Sequence, residues 1–192
     1  LSKDHQVVVV SPNSNYQWIP SNIWVGIGRM PSKNILFPLK PLYKKKKIDF
    51  IQAKAKTFYP EGDASESKPF VEVEHIKPHG KETSKVTYDY LINATGPKLN
   101  FEATEGLIPG KNKCTSVCTY GHAEHAWKDL EALIDRMKSG EHVKILIGTG
   151  HAKSTCQGAA FEYILNVEKE LRNHGVRDKA KITWISNEYE LG

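Results

Sequence analysis

Four residues able to ligate a metal, move a proton or do sulfur chemistry fall close together: Cys114, Cys118, His122 and His125. Folded onto one point they would suit a zinc ion, which takes thiolate and imidazole ligands in a tetrahedron. Their spacing of four, four and three would put them on one face of a helix, but Thr115, Val117, Thr119 and Gly121 argue against helix before His122. A single reactive Cys118 is an equally economical arrangement, with His122 taking or returning the thiol proton near neutral pH. The third reading leaves His122 as a polar surface residue.

The remaining thiol, Cys156, falls in the first turn of a helix predicted from about Ser154 to His174. The positive end of the helix dipole favours thiolate there, which suits a nucleophile. A small buried apolar side chain is the alternative, since free cysteine is often buried. Three cysteines cannot all pair within one chain, and they are too few for a disulfide scaffold. Between these clusters, Gly148-Thr149-Gly150 follows the apolar run Val143–Ile147 and matches part of a dinucleotide fingerprint. Its third position is Lys153, where a small residue normally lets helix and strand pack closely. The turn can therefore hold a pyrophosphate or simply join strand to helix.

The elements that must position these residues follow from pattern. His5–Ser11 is a β-branched run typical of a strand covered on both faces. Residues 12–41 are rich in Pro, Asn and Gly with aromatic anchors, which predicts a long functional loop. Leu42–Lys47 predicts a short helix ending in four lysines that complement its dipole, and Ile48–Ala53 a strand. Ala55–Tyr59, Phe70–Ile76 and Val86–Ile92 alternate with period two and predict a small antiparallel meander with a hairpin tip at Ser65–Lys68. Tyr88–Asn93 is apolar enough to return to a main sheet before Ala94-Thr95-Gly96-Pro97 stops it. Ala123–Lys138 carries apolar residues at helical spacing and ends at Ser139-Gly140, while Val143–Ile147 and Lys181–Ser186 are buried strands flanking the Cys156 helix.

The chain is therefore α/β, with two partial dinucleotide-binding domains of Rossmann-like type and a small antiparallel meander. The expected division is residues 1–115, a connecting segment and helix at 116–140, and residues 141–192. At 192 residues two large domains are excluded. No apolar run reaches the roughly 18 residues of a membrane helix. A net charge of +5 permits an anionic partner without choosing between nucleotide, nucleic acid and lipid. A strand so near the first residue lacks the neighbours a parallel sheet needs, so the chain is expected to be an internal piece of a longer one.

Several segments together resemble sulfide:quinone oxidoreductase, a family of flavoproteins with two dinucleotide-binding domains: Tyr16–Gly28 (YQWIPSNIWVGIG), Tyr88–Lys98 (YDYLINATGPK), Ser116–Glu124 (SVCTYGHAE) and Gly148–Tyr163 (GTGHAKSTCQGAAFEY). The resemblance implies FAD as cofactor, with Ser11 facing the adenosine ribose where many relatives carry an acid, Pro20 and Ser21 approaching the flavin, backbone near Ala55 meeting the adenine, and Ala94, Thr95 and Gly96 closing on the cofactor. It implies that Cys156 is a redox cysteine whose partner lies in a C-terminal half, that Cys118 helps release the growing sulfur chain, and that His122 and Glu162 handle protons or touch the flavin. It assigns nothing to Cys114 and no resident metal. Sulfide and quinone are the implied substrates, with peripheral attachment to a membrane through a C-terminal part, no nucleic-acid partner, and room for a homo-oligomer. Without the glycine fingerprint for the FAD pyrophosphate and the quinone pocket, these residues alone are expected to be inactive. Two rivals remain: an NAD(P)H-dependent flavoprotein reductase of the same fold, and a non-catalytic, zinc-stabilised binding module.

Overall fold

The computed structural model describes residues 4–76, 82–151, 153–154 and 156–189. In chain order the regular elements are β1 (Val8–Ser11), β2 (Asn15–Gln17), α1 (Asn22–Gly26), β3 (Leu36–Pro38), α2 (Leu39–Lys45), β4 (Asp49–Tyr59), β5 (Phe70–His75), β6 (Thr83–Thr87), α3 (Tyr120–Lys138), β7 (Val143–Gly148), α4 (Gln157–Asn173) and β8 (Ala180–Ile185). They gather into two compact units that do not follow chain order. One joins Leu1–Tyr16 to Phe37–Pro97, and the other joins Gln17–Leu36 to Lys98–Gly192.

The first unit is a four-stranded sheet in the order β1-β4-β5-β6. β1 runs parallel to the start of β4, from Val8 opposite Asp49 to Ser11 opposite Gln52. β4 then continues antiparallel to β5, and a bulge between Ala55 and Thr57 turns its twist. The two strands predicted at 48–53 and 55–59 are thus one long strand serving two partners. Ala53, Val71 and Val73 form its core, with Val10, Ile51, Val86 and Tyr88 packed against them. Phe70 is fully buried, stacks on Tyr59 at 4.4 Å, and has the Lys85 ammonium 4.2 Å from its ring centre. Lys85 also reaches the Asp63 carboxylate at 2.7 Å, and Asp63 accepts from the Ser65 and Glu66 N–H groups, closing the hairpin tip. Lys85 first, then Ser65, hold the Asp63 carboxyl well below the usual carboxylate range.

Three expectations change here. β1 is half exposed rather than covered on both faces, because only β4 adjoins it among the described residues. The long loop at 12–41 contains α1, two short strands paired to each other, and the start of α2. The last meander strand stops at Thr87, and Tyr90 and Ile92 are 92% and 85% exposed. A strand needs a neighbouring strand to bond its backbone and a packed layer to cover its faces, and no described strand pairs with residues 88–93.

The second unit is built on the parallel pair β7 and β8, with Val143 opposite Ala180 and Gly148 opposite Ile185. α3 and α4 pack on it through Leu130, Ile134, Met137, Val167 and Leu171, and burying each such side chain stabilises by about 1.5–3 kcal/mol. The Thr119 hydroxyl caps α3 by accepting from the His122 N–H, and Gly140 follows its end. The segment from Gln17 belongs to this unit through specific bonds. Buried Asn22 donates to the Val117 carbonyl at 2.8 Å and accepts from Gln17 at 2.7 Å. Arg29 grips buried Glu170 with two bonds of 2.7 Å, and the Tyr163 hydroxyl donates to the Gly26 carbonyl at 3.0 Å. Burial, with the negative Asp129 adding to it, pushes the Tyr163 phenol up, so it stays a donor. Among the described residues, no helix is long and apolar enough to cross a membrane.

Candidate active site

At the end of β7, Gly148 lets the backbone of β8 come unusually close: a Cβ there would lie 1.8 Å from the Ile185 carbonyl oxygen. The Thr149 N–H donates to that same oxygen at 3.1 Å, and the chain then turns toward α4. The helix begins at Gln157, later than its pattern predicts, so Cys156 sits at the cap position just before the first turn. Its thiol is exposed and unpaired, and makes no capping bond, which rules out the buried apolar alternative. Its neighbour Gln157 is buried, and the side-chain oxygen accepts from the Thr149 hydroxyl at 2.8 Å and from the Ser186 hydroxyl at 3.2 Å. The Gln157 amide nitrogen donates to Asn187. These bonds tie the residue beside Cys156 to the ends of both parallel strands. Glu162 lies further along the same helix and is exposed.

The head of α3 holds the second group. Cys118 is exposed and unpaired, and His122 is half-buried in the first turn. They are linked through Ser116, which sequence reasoning passed over. The Ser116 hydroxyl accepts from the Cys118 N–H at 3.3 Å and lies 2.8 Å from His122 Nδ1. The hydroxyl and the ring nitrogen can each donate or accept in this contact, so Ser116 can follow His122 through either tautomer. Phe101 meets the same ring edge-on at 5.4 Å. Ser116, His122, Cys114 and His125 line a cleft of about 310 Å³ with Lys128 and Asp129. Burial pushes the Cys114 thiol up, making it less ready to ionise. Among the described residues, no three His, Cys, Asp or Glu side chains are placed to hold a metal ion, so the four candidate zinc ligands do not converge.

The residues assigned to the cofactor by resemblance divide between the two units. Ser11 ends β1, and its hydroxyl accepts from the Asn13 N–H at 3.2 Å. β1 pairs with β4 only as far as Gln52, so no strand covers that edge of β4 at Ala55 among the described residues. Ala94, Thr95 and Gly96 are exposed; the Thr95 hydroxyl donates to the Asn93 side chain at 2.9 Å, and Gly96 turns through φ +72. A Cβ on Gly96 would meet nothing within 4 Å, leaving an open face that a ligand can approach. Pro20 and Ser21 belong to the second unit, where Ser21 precedes α1 without forming a capping bond.

No family model matches the chain. The sulfide-quinone reductase of Aquifex aeolicus (strain VF5) is 32% identical over 192 residues, the whole of this chain and 39% of that protein. The mitochondrial sulfide:quinone oxidoreductase of Dictyostelium discoideum is 31% identical over 108 residues, 55% of this chain and 23% of its own. The X-ray structure of the sulfide:quinone oxidoreductase from Aquifex aeolicus superposes with a TM-score of 0.71 at 28% identity, over 95% of this chain and 37% of that one. The chain is a homologue of the sulfide:quinone oxidoreductases. NDH2 from Plasmodium falciparum in complex with NADH has the same fold, with a TM-score of 0.62 at 19% identity over 100% of this chain and 39% of that one. The α/β, Rossmann-like class read from sequence therefore stands. The chain spans 39% of the length of its Aquifex relative. Its thiols are also sorted by exposure: Cys118 and Cys156, singled out by resemblance, are exposed, whereas Cys114 is half-buried.

Ser116 and Gln157 carried little signal in the sequence. A serine two residues before a cysteine and a glutamine at a helix start are both common, and only the fold shows what they touch.

Proposed function

We propose that the whole protein containing this chain is an FAD-dependent sulfide:quinone oxidoreductase, peripherally attached to a membrane. The supporting observation is its similarity, along the full chain, to the Aquifex sulfide-quinone reductase. In the whole protein containing this chain, residues 1–115 would contribute to the FAD-binding domain, 116–140 connect, and 141–192 begin the second dinucleotide fold. Ser11, Ala55, Ala94, Thr95 and Gly96, with Pro20 and Ser21, would hold the cofactor, and the open face at Gly96 fits that role. When bound, FAD supplies the two-electron redox step and the onward transfer to quinone.

The residues of this chain do the sulfur and proton work. Sulfide attacks a disulfide formed by Cys156 and a second cysteine, forming a persulfide and displacing the other sulfur as thiolate. Exposure of Cys156 permits the attack, and the neighbouring Gln157 is bonded to the ends of both parallel strands. Cys118 accepts the outgoing sulfur chain by the same exchange. His122 supplies or removes protons there, and Glu162 provides a carboxylate for proton handling.

The Cys156→Ser variant of the full-length protein tests this reading. It is expected to keep the yellow colour of bound flavin and to lose sulfide-dependent flavin reduction. Full activity in that variant would remove Cys156 from the mechanism.

A further inference from the structure

In dinucleotide folds the second glycine of the strand-to-helix turn exists so that a pyrophosphate can come close to the backbone, and the ligand lies outside the carboxyl ends of the parallel strands. Gly150 occupies that position here, and the space its missing side chain opens is already taken. A Cβ on Gly150 would lie 2.5 Å from Leu107 Cδ1 and 3.4 Å from Leu107 Cγ and Cδ2. From the same turn of chain, the Thr104 hydroxyl donates to the Gly150 carbonyl at 3.3 Å, and the Leu107 N–H donates to the Thr104 carbonyl at 3.2 Å. At the other strand end, where a dinucleotide ribose would be held, the Asn187 side-chain oxygen is engaged by Gln157 and lies 3.0 Å from the Thr149 hydroxyl. Lys153 stands at the third fingerprint position.

We propose that the 104–107 turn plugs the second nucleotide fold of its own chain, and that Leu107 is the residue that closes it to NADH and NADPH. An apolar isobutyl group and a bonded hydroxyl occupy the side from which phosphate would approach. Leu107 offers no donor to a phosphate oxygen and stands where that oxygen would meet Gly150, so a dinucleotide gains nothing until it moves. The fold thus keeps the strand-turn-helix geometry that presents Cys156 while losing the ligand that geometry commonly serves. Its consequence for catalysis rests on the sulfide-oxidising reading: electrons enter through sulfur and not from a nicotinamide.

The test is isothermal titration of the full-length, flavin-loaded protein with NADH and with ADP-ribose. The wild-type protein is expected to show no saturable binding of either up to about 1 mM. Leu107→Ala removes Cγ and both Cδ atoms, and is expected to tighten binding of both at least about tenfold. Saturable submillimolar binding by the wild type, or no gain in the variant, overturns the proposal. Should Leu107→Ala fold poorly, the contact is read from melting temperatures. Gly150→Ala is expected to lower the melting temperature, and Leu107→Ala combined with it to recover part of the loss, because the new methyl takes the vacated volume. A double variant no better than Gly150→Ala overturns the plug. Absence of flavin from the full-length protein would instead count against the flavoprotein reading, and the titration with ADP-ribose would still decide the fate of Leu107.

Discussion

The turns at Gly96 and Gly150 use the same residue and end in opposite states. Both lie just past apolar runs, and both remove a Cβ from a place where backbone can be approached. At Gly96 nothing lies within 4 Å of the missing side chain, and the neighbouring Tyr90 and Ile92 stand in solvent. At Gly150 Leu107 has moved into the space and Thr104 has bonded the carbonyl. A glycine therefore marks where close approach is possible, and the surrounding chain decides whether a ligand or a side chain makes it.

Substitutions at the glycines sharpen this contrast. The largest stability effect is expected at Gly148, where a methyl would run into the Ile185 backbone oxygen, which cannot move without breaking the β7–β8 pairing. Gly148→Ala should cost about 3 kcal/mol or more, read as a lowered urea midpoint. Gly150→Ala meets only the end of a leucine and should cost about 1–3 kcal/mol by the same measurement. Gly96→Ala meets no atom but must hold φ +72, so its cost is about 1 kcal/mol in stability. Its larger consequence is on the ligand. In the full-length protein it should release flavin on gel filtration, whereas Gly150→Ala should retain it. Equal flavin retention by both would erase the distinction between an open and a filled turn.

The smallest effect concerns the hairpin tip. Asp63 is held below its ordinary range by Lys85, so its contribution is present above the usual carboxylate pKa of about 4 and fades as pH falls toward the depressed value. The melting temperature of the wild type should therefore fall more steeply in acid than that of Asp63→Asn, while the two should differ slightly at neutral pH. The pair is exposed to solvent, which keeps the difference small.

What sequence could disclose tracks what is local. The α3 pattern, the two parallel strands and the meander follow from side-chain periodicity, and each appears within a few residues of its expected place. The strand expected at residues 88–93 did not form, because a strand is completed by its neighbour and periodicity reports only one partner. The start of α4 moved past Cys156 for a related reason: the buried amide of Gln157, bonded to Thr149 and Ser186, fixes where the first turn begins. Cys118 and His122 were legible as residue types, but the Ser116 bridge between them depends on the bend before α3. Leu107 was invisible as a functional residue, since one leucine in a loop carries no pattern until the glycine it covers is located.

The claim on which the rest depends is that this chain presents sulfur chemistry on a nucleotide fold that has given up its own nucleotide. The most direct measurement is the visible spectrum of the full-length protein, titrated without oxygen first with NADH and then with sulfide. The flavin absorbance is expected to survive NADH and to bleach with sulfide. Bleaching by NADH with no response to sulfide would contradict the account.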